Sequence, residues 1–224
     1  MAEIHDGKAG HGIVYQALEQ TAGRGQRGRT WESGRNMNIA LSAVLEPGNV
    51  LPPGSFLLGA AAAVAVRNCL ESHIPGCMIK WPNDIYIHDK KIAGILIENV
   101  VRGNQWSYAV VGIGININQP GFGPELPGAT SLTMLTGKTY DIIVLGKQLC
   151  EHLELQWQLL QKEPERVMRL YNEHLFRKDV PVRFKEESRV FTATVKQVTA
   201  AGELLAVCGE SEIIMAQGVQ WLIP

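Results

Sequence analysis

Between Gly23 and Trp31 the chain reads GRGQRGRTW, with three glycines and three arginines in its first seven residues. The formal charge of the whole 224-residue chain is only −1, so the positive charge is concentrated here and is not part of a general basic surface. Glycines let backbone amides approach an anion and adopt positive φ, and guanidinium forks make paired, charge-assisted hydrogen bonds to its oxygens. Trp31 can cover a flat ring. The spacing Gly23, Gly25, Gly28 fits a dinucleotide fingerprint, and Glu46 stands at about the distance of a ribose-binding acid. A dinucleotide fold needs a helix directly after the glycines, however, and Thr30 to Asn38 (TWESGRNMN) is too short and too polar to supply one. A P-loop is excluded because no Gly-Lys-Ser/Thr closes the motif. An exposed arginine loop without a ligand would read the same way.

With 46% hydrophobic residues the chain can bury one sizeable core and carry a small second domain. Cys69, Cys77, Cys150 and Cys208 form no CxxC pair and the six histidines show no ligand spacing, so neither a disulfide frame nor a metal site is expected. A reducing cytoplasm suits such a chain. No signal sequence opens it, and the apolar run Phe56 to Val66 is too short to span a bilayer. Near-neutral charge argues against general nucleic-acid binding. Membrane attachment is not expected either.

Alternation predicts a strand over Gly12 to Leu18, which delivers the arginine loop, and a second over Asn38 to Leu45. Pro47 to Gly54 reads as a turn-rich connection, and Ser55 as the cap of a helix to about Glu71, apolar nearly all round and therefore buried. Met78 to Trp81, Ile85 to His88, Lys91 to Val101 and Trp106 to Asn118 read as strands of a mostly antiparallel sheet. Ser131 begins a short helix ending near Gly137. Asp141 caps a longer one with Leu145, Leu149, Leu153, Trp157 and Leu160 on one face, and Pro164 opens a third, to about His174. From Val180 the pattern changes to short alternating strands, enough for a small barrel. A boundary near Arg177 and Lys178 divides the chain into 1–177 and 178–224.

Three further segments carry candidate chemistry. Lys80-Trp81-Pro82-Asn83-Asp84 places a cation, a ring and two short polar side chains at a strand end, although an ordinary Asn-Asp turn has the same composition. Lys91 stands just before a strand whose Gly94 exposes backbone amides; alone, it reads as a solvated turn lysine beside Lys90. Gly112-Ile113-Gly114-Ile115-Asn116 is either a bulged central strand or a ligand platform.

Taken together and in order, these segments resemble the biotin–protein ligases, whose catalytic domain carries a GRGRxGRxW loop, a KWPND segment, a KxAGILxE strand and a GxGxN strand. The resemblance extends from about Gly12 to the C-terminus. It implies an α+β fold: a mixed, mostly antiparallel sheet with packed helices, like a class II synthetase, plus a small C-terminal SH3-like β-barrel. It also implies that biotin carboxylate attacks the α-phosphorus of Mg-ATP to give biotinyl-adenylate, after which a lysine of a biotin carboxyl carrier domain displaces AMP. ATP with Mg2+ and biotin are then substrates, and no tightly bound prosthetic group is expected.

By the resemblance, Lys91, Arg24 and Asp84 are catalytic, Lys91 bridging carboxylate and α-phosphate and Asp84 assisting the incoming lysine. Gln20, Arg24, Gly25, Gln26 and Lys91, with backbone at Gly94, Ile95 and Leu96, lie along biotin and the acyl-phosphate. Arg27, Arg29, Trp31, Asn83, Asp84, Gly114 and Asn116 serve the adenylate half, with Arg27 and Arg29 ordering the loop or meeting pyrophosphate. Two departures stand out. Gln26 occupies a position where the family commonly has arginine. The family's Ser-Thr-Asn element would precede Met1, and Met1 to His5 would be the remnant of the helix after it, so weak biotin binding is expected. No helix-turn-helix domain is expected before the ligase segment, and a homodimer is compatible with the chain. The competing readings are a lipoate or octanoate ligase or transferase of the same fold, which wants an elongated apolar tunnel, and a non-catalytic protein that binds biotinyl-adenylate or carrier domains.

Overall fold

The structure, a computed structural model, describes residue 4 and residues 9–47, 56–102 and 105–223. Its largest sheet has six strands in the order β1 (Val14–Ala17), β4 (Asn38–Leu45), β8 (Gln105–Asn116), β7 (Lys90–Arg102), β6 (Asp84–Ile87) and β5 (Met78–Lys80), each neighbour antiparallel. The sheet is covered on one side by helices, and the period of two decides which side chains meet them. Ile39, Leu41 and Ala43, with Ala93 and Ile95, and Val111, Ile113 and Ile115, enter the main core. The alternate residues of the same strands, among them Ala40, Ser42, Gly94, Leu96, Gly112 and Gly114, face a cavity on the other side.

Helix α1 (Phe56–Glu71) is buried almost all round, which its run of alanines permits by letting neighbours approach closely. It packs against α3 (Ile142–Lys162) and α4 (Pro164–Glu173). The Asp141 carboxylate caps α3, accepting from Ile143 N at 2.8 Å and Val144 N at 3.1 Å, and Leu145, Leu149, Trp157 and Leu160 of the expected stripe are buried. Ser131 caps the short α2 (Leu132–Thr136), and Gly137 ends it at φ 70°.

The C-terminal strands β9 (Pro181–Glu186), β10 (Arg189–Val198), β11 (Leu204–Cys208), β12 (Ser211–Met215) and β13 (Gln220–Leu222) form a second antiparallel sheet, ordered β12-β11-β10-β9-β13. Its Val182, Phe184, Val195, Leu204 and Trp221 belong to the same hydrophobic cluster as the large sheet. Trp81 Nε1 donates to Gly202 O across the junction at 2.9 Å, Asn172 exchanges two hydrogen bonds with Val198, and the Phe176 ring lies between those of Tyr86 and Trp221.

One region differs from expectation. The stretch read as a loop is a hairpin, β2 (Gln20–Arg24) paired with β3 (Thr30–Ser33) in a separate two-stranded sheet. Its glycines and charges hide the alternation, and the pairing is interrupted by a register shift between Gln20 and Gly23. The expected Ser55 cap, the turns after Pro47 and, apart from Ile4, the N-terminal helix remnant lie outside the described residues. Among the described residues no helix is long and apolar enough to cross a membrane.

Candidate active site

The face of the large sheet turned away from α1, α3 and α4, together with the β2–β3 hairpin, encloses a cavity of about 580 Å³. Its floor is the alternate-residue set of β4, β7 and β8, and the glycines there decide how closely anything can lie on the backbone. In the structure that neighbour is Trp31. Its ring rests on Gly114, where a Cβ would lie inside the indole, and Cζ3 stands 3.3 Å from the Cβ position of Gly94. Gly94 and Gly114 are thus the two glycines the ring covers, and Gly112 and Gly114 belong to a continuous strand paired residue by residue with β4.

The arginine segment is the tip of the hairpin. Gly25 N donates to Arg29 O at 2.7 Å, closing a single turn over Gln26–Gly28, with Arg27 at φ 57° and Gly28 at φ 74°. Arg24, Gly25 and Gln26 line the cavity. The Arg24 guanidinium is mostly exposed and lies 3.5 Å from Glu98. Arg27 points elsewhere, its guanidinium packed on Gly218 in the turn before β13, where a Cβ would stand 2.7 Å from a guanidinium nitrogen. Arg29 lies where its charge acts on Lys80 and Tyr86.

Opposite the hairpin, the turn between β5 and β6 is braced from three directions. Tyr171 Oη donates to Pro82 O at 3.1 Å, Trp81 is anchored on Gly202, and Asn83 Nδ2 donates to Ile95 O at 2.7 Å while Ile95 N donates to Asn83 O at 2.9 Å. This bracing presents Asp84, whose Oδ1 lies 2.6 Å from Lys91 Nζ. The contact is an ion pair without hydrogen-bond alignment, since Oδ1 is buried and makes no hydrogen bond among the described residues. Lys91 is positioned through its backbone, Lys91 N donating to Gly128 O at 2.7 Å and Lys91 O accepting from Thr130 N at 2.9 Å. Asn116, buried, donates to Thr130 O at 3.0 Å. It thus supports the segment that holds Lys91 and does not line the cavity.

Burial, with Asp84 adding to it, pushes the Tyr86 and Tyr171 hydroxyls above their ordinary range. Burial lowers Lys80, with Asp84 opposing and Lys91 and Arg29 reinforcing the shift. Among the described residues no group of three or more His, Cys, Asp or Glu is placed to hold a metal ion.

Of the residues singled out from sequence, Gln20, Arg24, Gly25, Gln26, Trp31, Asn83, Lys91, Gly94, Ile95, Leu96 and Gly114 line this one cavity, with Asp84 joined to it through Lys91. Arg27, Arg29 and Asn116 do not line it. Gly112, read from sequence as part of a bulged strand or a ligand platform, also lines it, whereas Glu98 and Ser42 were missed as cavity residues. The period of two running out from Gly94 and Gly114 was the signal that could have found them.

The model of the biotin/lipoate A/B protein ligase family matches residues 6–116. The bifunctional ligase/repressor BirA of Bacillus subtilis is 37% identical over 142 residues, 62% of this chain and 44% of the relative. The biotin--[acetyl-CoA-carboxylase] ligase of Paracoccus denitrificans is 38% identical over 128 residues, 55% and 52% of the two chains. The chain spans about half the length of the curated relatives it matches. A solved structure of biotin protein ligase from Aquifex aeolicus in complex with biotin and ATP superposes with a TM-score of 0.82 at 24% identity, covering 96% of this chain and 91% of that one.

Proposed function

We propose that this chain, which belongs to the biotin/lipoate A/B protein ligase family, is a biotin–protein ligase that forms biotinyl-5'-AMP from biotin and Mg-ATP and transfers biotin to a lysine of a biotin carboxyl carrier domain. The observation that carries this reading is the convergence of Gln20, Arg24, Gly25, Gln26, Lys91 and the Gly94–Leu96 backbone on one cavity, from two hairpins far apart in sequence. The names of the relatives support it. The residues 1–177 form the biotin- and ATP-binding part, and 178–224 a small SH3-like barrel; the antiparallel pairing of the C-terminal strands supports that division.

In the first step a biotin carboxylate oxygen bonds to the α-phosphorus as the bond to the β-phosphate oxygen breaks, releasing pyrophosphate. Two anions must be held together, which is a matter of positioning and charge compensation more than proton transfer. Among the described residues Lys91 and Arg24 are the cations lining the cavity, and each rests against a carboxylate of the chain, Asp84 and Glu98. An incoming carboxylate and phosphate compete with those acids for the same cations. Gln26 adds neutral hydrogen bonds where a guanidinium would add charge. Trp31, Asn83, Asp84 and Gly114 serve the adenylate half, with Asn116 acting behind them through Thr130. In the second step the carrier lysine's amine bonds to the acyl carbon and AMP leaves. Asp84, free of Lys91 at that stage, accepts the amine's proton.

The test is to incubate the protein with biotin, Mg-ATP and a carrier domain and to weigh the carrier. A gain of one biotinyl group per carrier is expected, and none when lipoate or octanoate replaces biotin. An unmodified carrier with biotin would overturn the reading. Modification by lipoate or octanoate alone would assign the chain to the other branch of its family.

A further inference from the structure

Lys80 is a lysine with an unusual setting and no role in the reaction as described so far. Its ammonium lies 5.1 Å from the centre of the Tyr86 ring and 5.4 Å from that of Trp221, so it sits between the large sheet and the edge strand β13 of the C-terminal sheet. Among the described residues it makes no ion pair within 4 Å. Across the β5–β6 pairing it stands directly opposite Asp84. Side chains at such paired positions have Cβ atoms about 5 Å apart, within reach of a lysine and an aspartate that turn toward each other. Asp84 Oδ1 now holds Lys91 at 2.6 Å and is not tied down by any hydrogen bond among the described residues.

The geometry points to a shared counter-ion. We propose that Lys80 is a positioning residue that takes over the Asp84 carboxylate when Lys91 turns to the substrate's acyl-phosphate, so that Lys91 is released to the reaction without leaving a half-buried carboxylate alone. This rests on the function proposed above in assigning Lys91 to the reacting phosphate. Without a second cation, Asp84 would keep Lys91, because separating a partly buried pair strands a charge. Aromatic faces suit the waiting partner, since they hold a cation at modest strength and let it go. Burial disfavours the charged form of Lys80 and Asp84 favours it, so an approach of the carboxylate improves the lysine's situation as well as its own. Trp221 gives the C-terminal sheet a part in this arrangement by walling the lysine in beside Asp84.

Two measurements test it. In a crystal structure of the ligand-free Lys91→Ala protein, Lys80 Nζ is expected within ion-pair distance of Asp84; an Asp84 carboxylate that leaves Lys80 on its two rings overturns the proposal, whatever the protein's activity. In single-turnover adenylate formation, Lys80→Met is expected to slow the step at least tenfold with ATP affinity within twofold of native. Lys80→Arg should recover most of the rate, and Lys80→Met should cause no further loss in an Asp84→Asn background. A Lys80→Met rate equal to native, a loss confined to ATP affinity, or losses that multiply in the double substitution would overturn it. A native protein that forms no adenylate would instead remove the functional reading, leaving the crystallographic test to decide the Lys80–Asp84 contact.

Discussion

The two hairpins that meet over the cavity are built in opposite ways. The β5–β6 turn is locked by Tyr171, Trp81 and the Asn83–Ile95 exchange, and it adjoins strands buried in the main core. The β2–β3 hairpin belongs to its own two-stranded sheet, has a broken register and exposes the Arg24 side chain to 72%. A cation held on the first is placed before substrate arrives. Cations on the second gain little from their surface pairings, as exposed ion pairs contribute only about 0–1 kcal/mol, and their geometry is set by whatever anion they meet. In the proposed reaction a preorganised half and an adaptable half would divide the work of orienting two anions.

The contrast breaks most severely at Lys91. Lys91→Ala should lower the rate of adenylate formation by about a hundredfold to a thousandfold, the usual effect of removing one preorganised group at a developing charge, while a thermal melt changes little. Pyrophosphate release and the melt check both halves. Next in size, Trp81→Phe should cost about 1–3 kcal/mol of stability, because it leaves the Gly202 carbonyl without its buried donor. Denaturant unfolding would show it, and adenylate formation should fall as well, because the same hydrogen bond braces the turn that presents Asp84.

The adaptable half should respond differently. Gly114→Ala puts a methyl group where the Trp31 ring lies, so the indole must move. Adenylate affinity should drop by about tenfold, an effect on the order of 1.4 kcal/mol, with stability nearly unchanged because the displaced ring belongs to a loosely attached hairpin. Calorimetric titration with biotinyl-adenylate measures it. The smallest effect is expected for Gln26→Arg, a few-fold slower dissociation of biotinyl-adenylate, since a charge-assisted hydrogen bond is roughly twice as strong as a neutral one. A dissociation rate that is unchanged or faster would show that this side chain does not touch the acyl-phosphate.

The same difference in construction explains what could be read from sequence. Strands in the sheet and helices against it carry strong periodicity, so Asn38–Leu45 agrees with β4 to the residue and Asp141, Ser131 and Gly137 act as the caps their chemistry suggests. The hairpin at 20–33 carries none, because glycine and arginine have no preferred face and the pairing is irregular. Ordered motifs brought Lys91, Arg24 and Gln20 to one cavity. They could not reveal that Asn116 supports Thr130 from behind, or that Arg27 packs on Gly218, because those contacts join segments 14 residues apart in one case and nearly the length of the chain apart in the other.

The continuity of the core between the two sheets bears on how the molecule comes apart. Phe184, Trp221 and Leu204 lie in one cluster with Trp81, Ile79 and Tyr171, so the C-terminal strands are expected to melt together with the large sheet. Calorimetry should record a single endotherm, and a protease that removes the C-terminal strands should destroy the remainder of the chain along with them. Any clipping, truncation or core substitution in the last forty or so residues is then expected to be felt at the KWPND turn as loss of its scaffold.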